Sequence, residues 1–411
     1  MAIVMRRVTL KLYPSATQAT EMERVCDLHR ALYNAALQER IDAWRLSKTS
    51  IGYAAQCKSV TQIRRDDTAY LGLNAQSLQV TLKRLDMAFS HFFRRVKAGE
   101  TPGFPRYKGR DRFPGWGYKS HGDGFRFEPG ANWRHGRLRL SGIGTMRARG
   151  EARTPGRVVC AAIQRKADGW FLSLVVECEP HRERIGDSVV GLDWGVETMA
   201  TLCTGPMQFA EVENDRLLVK AQDGLKAAQR ELSCHLRGKR SKRAARARKL
   251  LAKRSRKLAN RRKDRNHKTT ARLVRDHAVI ITEDLSVKNM TASAKGTAER
   301  PGKNVRQKAG LNRAILDTAP GSWLSLLTSK AEEAAGRVIL VDPRKLRPSQ
   351  TDPVSGAVRK KALSERTHIL PDGQVIGRDQ ASAWVLWNIG QRILGEERAR
   401  SIVTETFARA A

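Results

Sequence analysis

Polar and apolar residues alternate along Val8–Tyr13 in the period of a strand, which Pro14 ends. From about Gln18 to Ser47 the apolar positions Met22, Val25, Leu28, Leu32, Ala35 and Leu37 recur at helical spacing. A second helical face follows between about Ala75 and Val96, carried by Leu78, Leu82, Leu85, Ala88, Phe89 and Phe92. The glycine- and proline-rich stretch TPGFPRYKGRDRFPGWGY after it predicts a loop. Strand-like alternation occupies 124–178, most clearly in VVCAAIQRKADGWFLSLVVEC, where Ala167-Asp168-Gly169 marks a hairpin turn.

At Val189 the pattern changes. VVGLDWGVETMATLC predicts a buried strand, a tight turn and a returning strand. Between Arg237 and Arg265 stand 16 Lys or Arg in 29 residues, against the single acid Asp264. Ala244, Ala245, Leu250, Leu251 and Leu258 are interleaved at helical intervals with no proline, which predicts a long basic helix. HAVIITEDLSV then supplies a central strand, followed by a helix (Trp323–Ala335), a strand (Val338–Val341), a polar excursion (Arg344–Ile376) and a last helix from near Asp379. Strands alternating with helices after residue 189 predict a layered α/β domain.

Charge sharpens the picture. The 411 residues are enough for two to four domains, and 77 Lys plus Arg face 41 Asp plus Glu, a formal net charge of +36. A surface so self-repelling calls for a polyanion, and a nucleic acid also gains from counterion release. No apolar run is long enough to span a membrane. The N-terminus alternates like a strand instead of carrying the apolar core of a signal peptide, and the six cysteines form no C-x-x-C pair. Reduced thiols and a cytoplasmic (prokaryotic) location, nucleoid-associated when bound to DNA, are therefore expected.

Three acids stand where the α/β domain would gather them. Asp193 lies in its first strand between Gly191 and Gly195, which leave room for close approach of a backbone or ligand; Glu283 ends the strand Val279–Ile281; Asp379 opens the last helix. Singly, each has an ordinary reading: a strand-end turn residue, a solvated strand terminus, a helix N-cap. Together, in a very basic chain, they are the hard oxygen ligands that two Mg²⁺ ions need, and such a pair, roughly 3.5–4 Å apart, cuts phosphodiesters.

The segments GLDWGVETMATL, VIITEDLSVKNM and GRDQASA resemble the three RuvC motifs of TnpB, the transposon-encoded RNA-guided nucleases, and of the related compact type V CRISPR effectors. LKLYPSATQ, LYNAALQER, QVTLKRLDMAFSHFFRR, PGFPRYK and KLANRRKDRNHKTTARLV extend the resemblance over nearly the whole chain, as does the segment from GLNRAILDTAPG to LRPSQT. It implies an α/β fold with β-barrel and helical parts: an RNase-H-like (RuvC) nuclease domain with an N-terminal wedge β-barrel and an inserted helical recognition domain. The implied boundaries are 1–13 and 121–185 for the wedge, 14–120 for the recognition domain, 186–345 and 377–411 for RuvC, with a basic helical insertion at 214–277. A degenerate zinc-ribbon-like, target-binding insertion takes 346–376. Asp193, Glu283 and Asp379 become the catalytic Mg²⁺ ligands (Mn²⁺ can substitute). The implied partners are a guide RNA, from a transposon end or a CRISPR array, and double-stranded target DNA.

Tyr53 and Gln79 fall where a short adjacent DNA motif would be read, Gln suiting an adenine edge, although both are equally well ordinary surface residues. Arg94, Arg95, Arg106 and Lys108, and Arg261, Arg262, His267 and Lys268 around the basic helix, are expected on phosphates. Two departures from the family pattern stand out. Asp352, Ser355, Ile369 and Asp372 occupy the places of the ribbon's zinc cysteines, so no zinc is expected. Ala381 stands where the third motif usually has Asn, which removes a supporting hydrogen bond and leaves open a guide-RNA-dependent repressor that binds without cutting.

Overall fold

The structure, a computed structural model, describes residues 3–151, 155–166, 168–180, 182–236, 241–362 and 364–410. The chain divides into two units, Met1–Pro180 and His181–Ala411. Among the described residues, no helix is long and apolar enough to cross a membrane.

In the first unit, strand β1 (Val4–Tyr13) leads to helices α1 (Ala16–Ser47), α2 (Tyr53–Asp66), the single turn α3 (Thr68–Leu71) and α4 (Ala75–Lys97). Strands β2 (Gly115–Tyr118), β3 (Phe125–Pro129), β4 (Arg134–Leu140), β5 (Gly144–Glu151), β6 (Arg157–Lys166) and β7 (Gly169–Cys178) follow. They make a seven-stranded antiparallel sheet in the order β2-β6-β7-β1-β5-β4-β3. Ser15 starts α1 with a capping box closed by Gln18, and Asn74 caps α4 through Ser77. The faces marked by Met22, Leu32, Leu37, Leu78, Leu82 and Leu85 are buried in one core with Leu10, Ile163, Leu172 and Leu174 of the sheet.

The expected loop over 101–118 ends earlier than its composition suggests. Gly115–Tyr118 is a buried strand paired with β6, and a Cβ at Gly115 would lie 2.0 Å from the Ile163 carbonyl oxygen. Glycine there lets the strand press on its neighbour while Trp116 fills the core beside His29 and Trp170. Lys166 pairs with Gly169 across the expected hairpin, of which Ala167 lies outside the described residues.

The second unit opens with β8 (Ser188–Trp194), β9 (Thr198–Gly205) and β10 (Gln208–Glu213), then helices α5 (Leu217–Leu236) and α6 (Lys242–Asp276). The basic stretch therefore forms a helix as expected, its first residues 237–240 lying outside the described residues. Strand β11 (His277–Glu283), the turn α7 (Val287–Met290), helices α8 (Val305–Thr318) and α9 (Pro320–Glu333) and strand β12 (Arg337–Val341) follow. The turn α10 (Pro343–Leu346), a small hairpin of β13 (Thr367–Ile369) and β14 (Val375–Gly377), and the long helix α11 (Arg378–Ala410) complete it. The five-stranded sheet runs β10-β9-β8-β11-β12, antiparallel from β10 to β8 and parallel from β8 to β12. Its apolar centre, Val190, Leu192, Ile280 and Ile281, is fully buried, as a strand covered on both faces must be.

Candidate active site

Leu192 of β8 lies opposite Thr282 of β11, so Asp193 and Glu283, each one residue further along, stand at neighbouring strand ends. The third acid arrives by a close helix crossing. A Cβ at Gly191 would lie 2.1 Å from the Ala383 carbonyl oxygen and 2.3 Å from the Trp387 backbone nitrogen, so only glycine lets α11 sit on β8. Gly390 answers from the helix side, where a Cβ would lie 2.3 Å from Ile281 Cδ1. This crossing sets the first turn of α11, with Asp379 and Ser382, beside Asp193.

All three acids line one open cavity of about 800 Å³, together with Ser382 and the arginines Arg216, Arg313, Arg366 and Arg378. Asp193 keeps some exposed surface but is densely surrounded, and that burial pushes its carboxyl well above the usual range. Glu283 and Asp379 push it further by repulsion, against the Ser382 hydroxyl, which donates to Asp193 Oδ1 at 3.2 Å, and the charge of Arg378. Burial also raises Glu283. Arg378 Nε lies 3.6 Å from Asp379 Oδ1.

Among the described residues, no three His, Cys, Asp or Glu side chains close into a ready-made metal cage. The donors are instead carboxylates on the wall of an open cavity, held together against their own repulsion. That arrangement fits Mg²⁺, which keeps several waters and takes one or two protein carboxylates with the substrate's phosphates.

Sequence reasoning missed Ser382 and the four arginines. The signal was in the motif itself, since Arg378 and Ser382 stand in GRDQASA. Ala381 makes no side-chain hydrogen bond, as expected of alanine, and the neighbouring residue supplies one to the acid. Ala381 is buried in an apolar cluster with Cys203, Leu370 and Ile376, whereas Ser382 reaches the acid.

The other expected residues are spread over both units. Within the first unit, the Lys119 ammonium joins Gln79 and Tyr53, donating to Gln79 Oε1 at 2.6 Å and to the Tyr53 hydroxyl at 3.4 Å. Arg94, Arg95 and Arg106 are exposed, and Lys108 is fixed by paired backbone hydrogen bonds to the Asn34 side chain. Within the second unit, Arg261 and Lys268 are exposed, the latter paired with Asp264 at 2.8 Å. His267 is half-buried and its carbonyl accepts from Lys330. Arg262 turns inward on Asp317 at 2.6 Å, and Arg265 is buried, donating to the carbonyls of Asp317 and Thr318. The cations of α6 are thus not all unpaired, as its composition had suggested.

The positions expected to replace the ribbon cysteines do not fit zinc. Asp352 is buried and fully engaged: its carboxylate accepts from the Val354 and Ser355 N–H groups, the Ser355 hydroxyl and His368 Nε2, at 2.7–3.0 Å. The Lys361 ammonium can only donate to His368 Nδ1, which leaves Nε2–H as the donor to Asp352. Ile369 is apolar and exposed, and Asp372 is exposed with Oδ1 on the Gln374 N–H. A hydrogen-bonded clasp of oxygen and nitrogen stands where soft thiolates would be needed.

Comparison with known proteins places these features in a lineage. The family model OrfB_IS605, described as "Probable transposase", matches residues 173–294, and HTH_OrfB_IS605, "Helix-turn-helix domain", matches 1–49, whose described residues form β1 and α1. The chain is 32% identical over 338 residues to the "Putative RNA-guided DNA endonuclease InsQ" of Escherichia coli (strain K12), covering 81% of this chain and 79% of the relative. A "Putative RNA-guided DNA endonuclease" of Streptomyces pristinaespiralis is 28% identical over 394 residues, 93% of this chain and 89% of that one. In fold it is similar to the protein of a Cas12f1-sgRNA-target DNA complex, at TM-score 0.57 and 11% identity, covering 93% of this chain and 98% of that one.

Proposed function

The chain belongs to the TnpB family (OrfB, IS605 type), and from that premise we propose that it is an RNA-guided DNA endonuclease with one RuvC-type active site. The observation that carries this reading is the convergence of Asp193, Glu283 and Asp379, from two strands and a helix, on one arginine-lined cavity.

The strand order β10-β9-β8-β11-β12, antiparallel then parallel, supports an RNase-H-like domain. The first unit supports a wedge-like sheet with a helical recognition insertion after β1, although its expected end at 120 overruns β2, which pairs with β6 in the sheet; 346–376 supports a zinc-free ribbon-like insertion. When Mg²⁺ is bound, Asp193, Glu283 and Asp379 would hold it, and it would supply an activated water and charge stabilisation at the leaving oxygen. The protein's own part is positional. Ser382 donates to Asp193, Arg378 offsets the carboxylates' charge, and the exposed Arg216, Arg313 and Arg366 on the cavity wall offer donors to the strand's phosphates. Sequence recognition falls to pairing between guide RNA and target, with duplex shape and a short motif left to the protein.

The test is cleavage of a guide-matched target in Mg²⁺ by the purified complex. Asp193→Ala, Glu283→Ala and Asp379→Ala should each abolish cutting while guided binding persists. The losses should not add, since one misplaced metal leaves little for a second change to remove. An unaltered protein that binds its guided target but never cuts it would hand the reading to a guide-dependent repressor.

A further inference from the structure

At the far end of α4 a group of aromatic rings faces outward. Phe93 is 60% exposed, and Phe104, Tyr107 and Val96 are exposed to about half their surface. Single exposed apolar residues are ordinary, but Phe93 and Phe104 are joined through Phe92 into one group. Phe92 packs edge-on against Phe93 and Phe104, at 5.1 and 5.3 Å between ring centres, and Phe89 anchors the group, 5.6 Å from Phe104. Phe89 itself packs on the first unit's core, and the Arg40 guanidinium lies 5.1 Å over its ring. The rings are therefore held in place before anything binds.

The segment that carries the rings is strongly basic. Arg94, Arg95, Lys97, Arg106 and Lys108 stand in residues 94–108 against one acid, Glu100. A second copy of this chain docking symmetrically would set these cations against themselves. An occupant with flat π faces and a phosphate backbone satisfies rings and cations together, and unpaired nucleic acid is that occupant.

We propose that the end of α4 and the loop after it, centred on Phe93 and Phe104 and flanked by Arg94, Arg95 and Arg106, form a stacking platform for the displaced, unpaired strand of target DNA. The choice of strand rests on the proposed guided reading. Gln79, Tyr53 and Lys119 sit at the other end of α4, and Phe93 lies 14 residues beyond Gln79, about 21 Å along the helix. If duplex DNA is gripped at Gln79, strand separation begins beside it, and the DNA strand freed there lies within reach of the rings.

The experiment measures binding of a fluorescent oligo-dT, an oligo-rU and a DNA duplex to the full-length protein carrying its guide RNA, over a range of salt. Phe93→Ala with Phe104→Ala should weaken oligo-dT binding by about 5- to 150-fold per base unstacked while leaving the salt slope intact. Phe93→Trp should retain binding, and Phe93→Leu should not. Arg94→Gln with Arg95→Gln should instead flatten the slope, by about one unit per lost phosphate contact. Because Phe93 and Phe104 keep half or more of their surface exposed, these variants should stay folded, with at most a small drop in melting temperature. Four outcomes overturn the proposal: unchanged oligo-dT affinity, full rescue by Leu, a dimer that dissociates on ring removal in sedimentation, or a loss confined to oligo-rU. Guided cleavage by the unaltered protein is scored separately; its failure sinks the guided reading, not the platform's affinity for single strands.

Discussion

Ser382→Ala removes one hydroxyl from the candidate site and nothing else. Ser382 is 2% exposed and sits between Ala381 and Ala383, so alanine fits without a clash and favours the helix. What is lost is the donor at 3.2 Å to Asp193 Oδ1. A hydrogen bond to a charged group contributes about 1.5–3 kcal/mol. At 3.2 Å this one is long for a hydroxyl donor, which places it near about 1.5 kcal/mol, or roughly tenfold. Burial and two neighbouring carboxylates already disfavour the charged form of Asp193, so losing the donor should weaken its hold on a cation by that factor. Cleavage rate against Mg²⁺ concentration should shift its midpoint upward about tenfold and largely recover at saturation. Calorimetric Mg²⁺ binding to the guide complex should weaken in parallel, and Ser382→Thr, which keeps a hydroxyl, should restore both. An unchanged midpoint and unchanged binding would refute the assignment.

Gly191→Ala would force a Cβ into the α11 backbone, so a loss of roughly 1–3 kcal/mol in thermal or denaturant stability is expected, with cleavage lost even where the variant folds. Asp352 is raised by burial but held down to about 2 by donors from Ser355, His368 and Val354. Its contribution, about 2 kcal/mol, is therefore present above pH ~4 and lost as pH falls toward 2; Asp352→Ala should remove it at neutral pH, seen as faster hydrogen exchange across 346–376. Elemental analysis should find far less than one zinc per chain, and chelators should not melt the protein; one tightly held zinc would defeat the clasp. Replacing exposed Arg261 and its exposed neighbours on α6 by Gln should flatten the salt dependence of RNA or target binding, whereas Arg262→Gln, which leaves buried Asp317 without its guanidinium partner, should mainly lower stability.

The strands that hold the site were legible because burial on both faces writes itself as apolar runs, VVGL directly before Asp193 and AVII one threonine before Glu283. The basic helix was legible from composition, but its inward faces were not. When most positions are cationic, periodicity no longer marks the buried side, and the partner of Arg262 lies 55 residues away. Helix α2 escaped notice because it buries only Gln56 and Val60, too few positions to write a stripe. Strand β2 was hidden by its glycines, which signal a turn in isolation yet here serve close strand packing. Ser382, a single polar residue in an alanine-rich helix start, looks like filler until the crossing at Gly191 places it.

The crossing of α11 over β8 also orders events in time. The three acids are separated by 90 and 96 residues, and the last arrives only when the helix that follows everything else seats on Gly191. A ribosome adding about 5–20 residues per second needs roughly 10–40 s to go from Asp193 to Asp379. Through that interval the nascent chain exposes basic α6, the proposed nucleic-acid contact, while the proposed cutting centre lacks one wall. On the proposed reading affinity is made early and reactivity last, so a chain truncated before α11 should bind nucleic acid without cutting it.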